Sequence, residues 1–255
     1  MSMYWEDTGS GPAVMVLHGA PSAISDFGPL AAALRSNHRV LIPELPGYGR
    51  SAALTGEHSF ARLYALVEEE LLARGVTELA IVGFSLGALH ALALAGSRRL
   101  RVTRVVLLGG FAALDEAGRS ARHQLAALVR QPGFALSAPE LQALIRDSSF
   151  CPSCRTAPTA AACVAAALAV ASPEVLAADW TAAADADVRS ALPRLEIPVT
   201  AIVGEHDETT PVAFSEEIVR ACRRGQLEII PGHGHAVFVE DPERTVAAVL
   251  DALRR

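Results

Sequence analysis

Uninterrupted runs of apolar residues recur along the chain at 14–17, 40–45, 79–84, 102–108, 199–203 and 227–230. Each has the length and make-up of a strand buried on both faces. Between them lie helical patterns. Residues 60–74 place Leu63, Leu66, Val67, Leu71 and Leu72 on one face, residues 241–255 do the same with Val246, Val249, Leu250 and Leu253, and 22–35 carries a fainter version. Strand and helix alternating in this way predict an α/β fold, a doubly wound and mostly parallel sheet with helices on both sides. Residues 3–7 read as an added edge strand before the Gly9-Ser10-Gly11-Pro12 turn.

The alternation stops after Gly110. From Phe111 to about Trp180 the chain is alanine-rich and helical, punctuated by Pro132, Pro139, Pro152, Pro158 and Pro173, with no strand pattern. Sheet-type sequence resumes at Ile197-Pro198-Val199. The expected organisation is therefore a core at 1–111, an inserted helical lid at 112–180 and the rest of the core at 181–255, with no internal repeat.

Composition narrows the function classes. The 255 residues carry a net charge of −6, and their one basic cluster, Arg98, Arg99, Arg101 and Arg104, sits at a helix-to-strand junction, so no nucleic-acid footprint is present. The amino-terminal residues lack the charged and apolar regions of a signal peptide, which predicts a cytoplasmic protein. The most apolar stretch, 160–171, is far shorter than the roughly 18 residues of a membrane span. Among the four cysteines only Cys151 and Cys154 make a C-x-x-C. It has neither a second ligand pair nor a strand-to-helix setting, so neither metal nor redox function is expected of it.

Candidate chemistry begins at Gly83-Phe84-Ser85-Leu86-Gly87, where an apolar strand hands over to a helix. A G-x-S-x-G turn this tight holds its serine outward in a strained conformation. A serine hydroxyl attacks a carbonyl only with a histidine to take its proton and a carboxylate to orient that histidine. Both should follow late strands, at the carboxyl edge of the sheet. Two loops qualify: Glu205, His206, Asp207 and Glu208 follow the strand at 199–203, and His233 and His235 follow the strand at 227–230. No G-x-G-x-x-G or G-K-[ST] is present at the turn, which disfavours nucleotide binding.

Five segments, LHGAPS (17–22), PELPGYGRS (43–51), GFSLGA (83–88), IVGEHDETTP (202–211) and GHGHAVFVEDPE (232–243), occur in an order and spacing that resembles the alpha/beta-hydrolase superfamily, in its lidded esterase, lactonase and aminopeptidase branch. The resemblance implies a catalytic set of Ser85, Asp207 and His235. His235 matches G-H-x-x-x-x-E-x-P, and Asp207 matches G-x-x-D-x-x-x-P ahead of Glu205, Glu208 and Asp115. His206 and His233 are expected to be polar loop residues, His90 a packed helix residue, and Asp187 a local tether. The oxyanion donors implied are the backbone N–H of Leu86, at the first turn of a helix, and that of Ala20, after His18-Gly19. His18 is expected to brace that loop. Glu44 stands where the family commonly has aspartate, and the short amino terminus implies that an outer strand is lacking.

Substrate choice in such a fold lies in the lid and loops. Phe111, Trp180 and Val237, beside the motifs or at the lid edge, are the expected substrate walls, and being apolar they suit an acyl group or hydrophobic alcohol. The expected partner is a small-molecule substrate, with a homodimer also compatible, and the mechanism requires no cofactor. The leading expectation is a serine hydrolase of carboxylic esters or lactones. Other readings on the same residues are a prolyl-aminopeptidase-like amidase using Glu116, Glu140, Asp147 or Glu174 to hold an amine, a cofactor-free haloperoxidase or perhydrolase, an acyl transferase or cyclase, and a ligand receptor without turnover.

Overall fold

Side chains along each inner strand alternate between two separate apolar layers. Met15 and Leu17, Leu41, Leu79 and Ile81, and Val105 and Leu107 enter one. Val14 and Val16, Val40 and Ile42, Ala80 and Val82, and Val106 and Leu108 enter the other. A strand with both faces covered this way has no polar side, which is why these segments read as continuous apolar runs. The computed structural model describes residues 3–255.

The strands are β1 (Trp5–Gly9), β2 (Ala13–Leu17), β3 (Arg39–Pro43), β4 (Glu78–Phe84), β5 (Arg101–Leu108), β6 (Val199–Gly204) and β7 (Gly225–Ile230), in the spatial order β1-β3-β2-β4-β5-β6-β7. All pairings are parallel except that of β1 with β3. The edge strand expected at 3–7 runs instead from Trp5 to Gly9, because pairing with β3 from Pro43 back to Arg39 sets its register.

Leu30, Ala31 and Leu34 of α1 (Gly28–Leu34) and Ala248, Val249 and Ala252 of the C-terminal helix, α10 (Pro242–Arg254), cover one face. Val67 and Leu71 of α2 (Phe60–Ala73), the largely buried α3 (Leu86–Ala95) and Ile218 of α8 (Val212–Ala221) cover the other. The faint helix at 22–35 divides into a 3-10 turn, Ile24–Phe27, and α1, with the break between Phe27 and Gly28 and Pro29 in the first turn of the α-helix.

Between β5 and β6 lie α4 (Glu116–Val129), α5 (Pro139–Ser149), α6 (Pro158–Ala169) and α7 (Pro173–Asp185). Three of the prolines there begin helices rather than interrupt them, since proline at a first helical position gives up only an N–H that has no partner anyway. Helix α7 is fastened to the core by polar contacts that are largely out of water. The Tyr48 hydroxyl donates to Asp179 Oδ2 at 2.7 Å, and His58 Nε2 lies 2.5 Å from Asp179 Oδ1. Among the described residues no helix is long and apolar enough to cross a membrane.

Candidate active site

Ser85 follows β4 with φ 51° and ψ −116°, the only non-glycine residue with positive φ among those described. Its neighbours must be glycine: a Cβ on Gly87 would meet the His18 carbonyl oxygen at 2.6 Å, and one on Gly83 would meet the Gly87 oxygen at 2.5 Å. The turn is closed by Ser85 N–H to the Leu108 carbonyl at 3.0 Å and Ala88 N–H to the Ser85 carbonyl at 2.9 Å. A side chain forced into this conformation is held clear of both the strand and the helix.

His235 and Asp207 meet as the motifs imply. His235 Nδ1 lies 2.7 Å from Asp207 Oδ2, with the His235 side chain 4% exposed and that of Asp207 0%. The other carboxylate oxygen, Oδ1, accepts from the backbone N–H groups of Thr209 at 2.9 Å and Thr210 at 2.7 Å. This fixes the plane in which Oδ2 meets the ring. Thr210 Oγ1 lies 2.9 Å from Asp207 Oδ2, 2.9 Å from the Gly109 carbonyl and 3.0 Å from His235 Nδ1. Nδ1 is therefore committed, and Nε2 is the ring nitrogen without a partner among the described residues. Ser85 and His235 line one cavity, although no hydrogen bond joins Ser85 Oγ to the ring among the described residues.

The competing groups lie elsewhere. Glu205 is exposed and accepts from Gly232 N–H at 2.8 Å, Glu208 pairs with Arg155 at 3.0 Å, Asp115 caps α4 through Gly118 N–H at 2.8 Å, and Asp187 pairs with Arg189. His206 is exposed, and His233 is turned to the Pro231 carbonyl at 2.7 Å. His90 is fully buried and stacks on Phe60 at 4.7 Å. Leu86 and Ala20 carry backbone N–H groups with no protein acceptor among the described residues.

His18 braces the Ala20 loop. Its Nε2 accepts from Leu45 N–H at 2.9 Å, so the proton is on Nδ1, which donates to the Gly19 carbonyl at 2.8 Å. Burial holds its pKa below the ordinary histidine value. Glu44 stands where the family commonly has aspartate, and its carboxylate accepts from the Arg50 backbone N–H at 2.5 Å and its guanidinium at 2.9 Å.

The shared cavity is small, about 70 Å³. Trp180 lines it, together with Ala20, Phe150, Val164 and Phe238. Phe111 and Val237, expected as substrate walls, do not border it. Phe111 packs beside Leu86, Leu89 and Leu114, while Val237, opening α9 (Val237–Glu240), is turned into the layer beneath the sheet with Phe27 and Val249. Glu116, Glu140, Asp147 and Glu174 are also outside the lining.

Thr210, Gly109 and Arg122 belong to the site or its surroundings without having been singled out by motif chemistry, and Glu240 entered only as the acid of the motif around His235. Glu240 joins the histidine loop to the cysteine turn: its oxygens accept from Gly234 N–H and Cys151 N–H, each at 2.6 Å. Cys151, Cys154 and Glu240 bring their ligand atoms within 4.8 Å of one another. That is three donors, one of them already taken up by two amides, where closed zinc sites use four.

The profile of the alpha/beta hydrolase family matches residues 14–249. The pimeloyl-[acyl-carrier protein] methyl ester esterase of Vibrio atlanticus is 26% identical over 250 residues, which span 95% of this chain and 94% of that enzyme. Among solved structures, a hydrolase from Pseudomonas aeruginosa PA01 superposes with a TM-score of 0.89 at 27% identity, covering 98% of this chain and 94% of that one. A thermophilic esterase from Thermogutta terrifontis, solved with malate bound, superposes with a TM-score of 0.88 at 27% identity, covering 99% and 93%.

Proposed function

The chain belongs to the alpha/beta hydrolase family, and from that membership we propose that it is a serine hydrolase that cleaves a carboxylic ester or lactone of a small substrate through an acyl-enzyme. The observation that carries the reading is the 2.7 Å contact of His235 Nδ1 with Asp207, in a ring whose other nitrogen is free and which shares a cavity with Ser85.

Ser85 Oγ attacks the carbonyl carbon while His235 Nε2 takes its proton. Asp207 fixes the ring and stabilises the imidazolium. The negative charge that forms on the former carbonyl oxygen is met by the N–H groups of Leu86 and Ala20, each of which contributes about 3 to 4 kcal/mol to such a transition state. The tetrahedral adduct then expels the alkoxide, which receives the proton from His235. Water, activated by the same histidine, releases the acid. The small cavity favours a compact acyl group, and Glu116, Glu140, Asp147 and Glu174 all lie outside its walls, so none of these four is placed to hold the free amine of the aminopeptidase reading.

The test is Ser85→Ala measured on a p-nitrophenyl ester, alongside a fluorophosphonate probe mapped by mass spectrometry. Turnover should vanish in the variant, and the adduct on the parent protein should fall on Ser85. Undiminished turnover in the variant rejects the assignment.

A further inference from the structure

Arg122 has the chemistry of a binding group and, among the described residues, no hydrogen-bond or ion-pair partner. It is half-buried on α4 and borders two adjoining voids: the cavity holding Ser85 and His235, and an outer groove of about 580 Å³. Leu125, Leu144, Ser148 and Thr209 border both as well, so the guanidinium stands where the two voids adjoin.

Among the described residues no carboxylate pairs with it and no oxygen accepts from it; its one charged neighbour, Asp207, acts only at long range. The nearby acids are already held. Asp207 Oδ2 is taken by His235, Glu208 by Arg155, Asp115 by the first turn of α4, and Asp26 by Ala23 N–H at 2.9 Å and the Ser22 hydroxyl at 3.2 Å. Burial pushes the guanidinium pKa down, against the pull of Asp207, yet an arginine remains charged. A cation drawn partly out of water without a counter-charge is costly, and it is retained most readily where a ligand supplies the missing anion. The planar fork of arginine matches a carboxylate with two parallel hydrogen bonds. Leu125, Leu144 and Ile145 beside it are apolar and suit the methylene chain leading to such a group.

Resting on the serine hydrolase reading, we propose that Arg122 recognises a carboxylate on the substrate, so that the preferred esters are half-esters of short dicarboxylic acids rather than neutral esters of the same length.

Monomethyl glutarate and methyl pentanoate differ only in a carboxylate replacing a methyl group, and pH-stat kinetics compares them directly. The expected result is a kcat/KM at least tenfold higher for the half-ester. Arg122→Gln should reduce that ratio by tenfold or more, through KM rather than kcat, and Arg122→Lys should fall between. A readout that needs no turnover accompanies this: free glutarate should raise the melting temperature of the parent protein but not that of Arg122→Gln. Glutarate protection lost in Arg122→Gln while neither ester is cleaved would uphold the anion site and reject the hydrolase reading. Equal or better hydrolysis of methyl pentanoate overturns the proposal, as does glutarate protection that survives Arg122→Gln or is absent from the parent protein.

Discussion

The indole Nε1–H of Trp180 donates to the carbonyl oxygen of Ala20 at 2.9 Å. Helix α7 thus holds in place the loop whose N–H is proposed to meet the oxyanion. Trp180→Phe keeps the ring and loses the donor, leaving the loop free to rotate. Because a misplacement near 1 Å costs about 100-fold in rate, we expect kcat to fall by roughly 10-fold to 100-fold with a smaller change in KM. Steady-state kinetics on a p-nitrophenyl ester checks this, and an unchanged kcat would show that the loop is held by His18 alone.

Gly109 makes room for the histidine. Its φ is +53°, and a Cβ there would stand 2.6 Å from His235 Nδ1 and 3.1 Å from Asp207 Oδ2. Gly109→Ala should separate the pair that orients the base, lowering kcat/KM by about 100-fold or more, within the range that follows loss of the correct histidine geometry. Methyl resonances and thermal melting should show the core still folded, which distinguishes a displaced ring from a collapsed sheet.

The two-faced burial of β4 and β5 is what made the sheet legible: a strand with no polar side leaves a continuous apolar run, and each connecting loop then falls at a predictable edge. Ser85, Asp207 and His235 stood out because spacing motifs tie them to strand ends. Phe111 and Val237, expected as walls from their place in the sequence, do not border this cavity for a simple reason. Being next to a motif in sequence does not fix side-chain direction, and each turns into a different packed layer. Arg122 and Thr210 are legible only in three dimensions, since the lack of a partner for one and the shared contacts of the other depend on segments distant along the chain.

His90 makes stability pH-dependent. It is fully buried on α3, both ring nitrogens lack hydrogen-bond partners, and burial pushes its pKa down to about 3. The folded state keeps the ring neutral, whereas the unfolded chain protonates it near the ordinary value of about 6.5. The unfolded state thus binds the extra proton in this window, and stability is lost as pH falls from about 6.5 toward 3, at up to about 1.4 kcal/mol per pH unit. His90→Leu removes that component. Urea unfolding at pH 7 and pH 5 should show the parent losing about 2 kcal/mol more than the variant over the interval. An equal loss in both would place the acid sensitivity elsewhere, with His18 the next buried ring to replace.

Ser85 carries a conformational cost that the reaction needs and the fold does not. At φ 51° a residue with a Cβ is strained, by about 1 to 3 kcal/mol for positions of this kind. Glycine takes the same conformation freely but loses about 0.5 to 1 kcal/mol through the greater freedom of the unfolded chain. The difference favours Ser85→Gly by roughly 1 kcal/mol, whereas Ser85→Ala keeps the Cβ and hence the strain. Denaturant melts should therefore rank the glycine variant above both the alanine variant and the parent, with neither variant hydrolysing ester. If the glycine variant were instead less stable than the alanine variant by that roughly 0.5 to 1 kcal/mol, the turn would be held without strain. The outward presentation of the hydroxyl would then have to come from the packing of Gly83 and Gly87 against their neighbours instead.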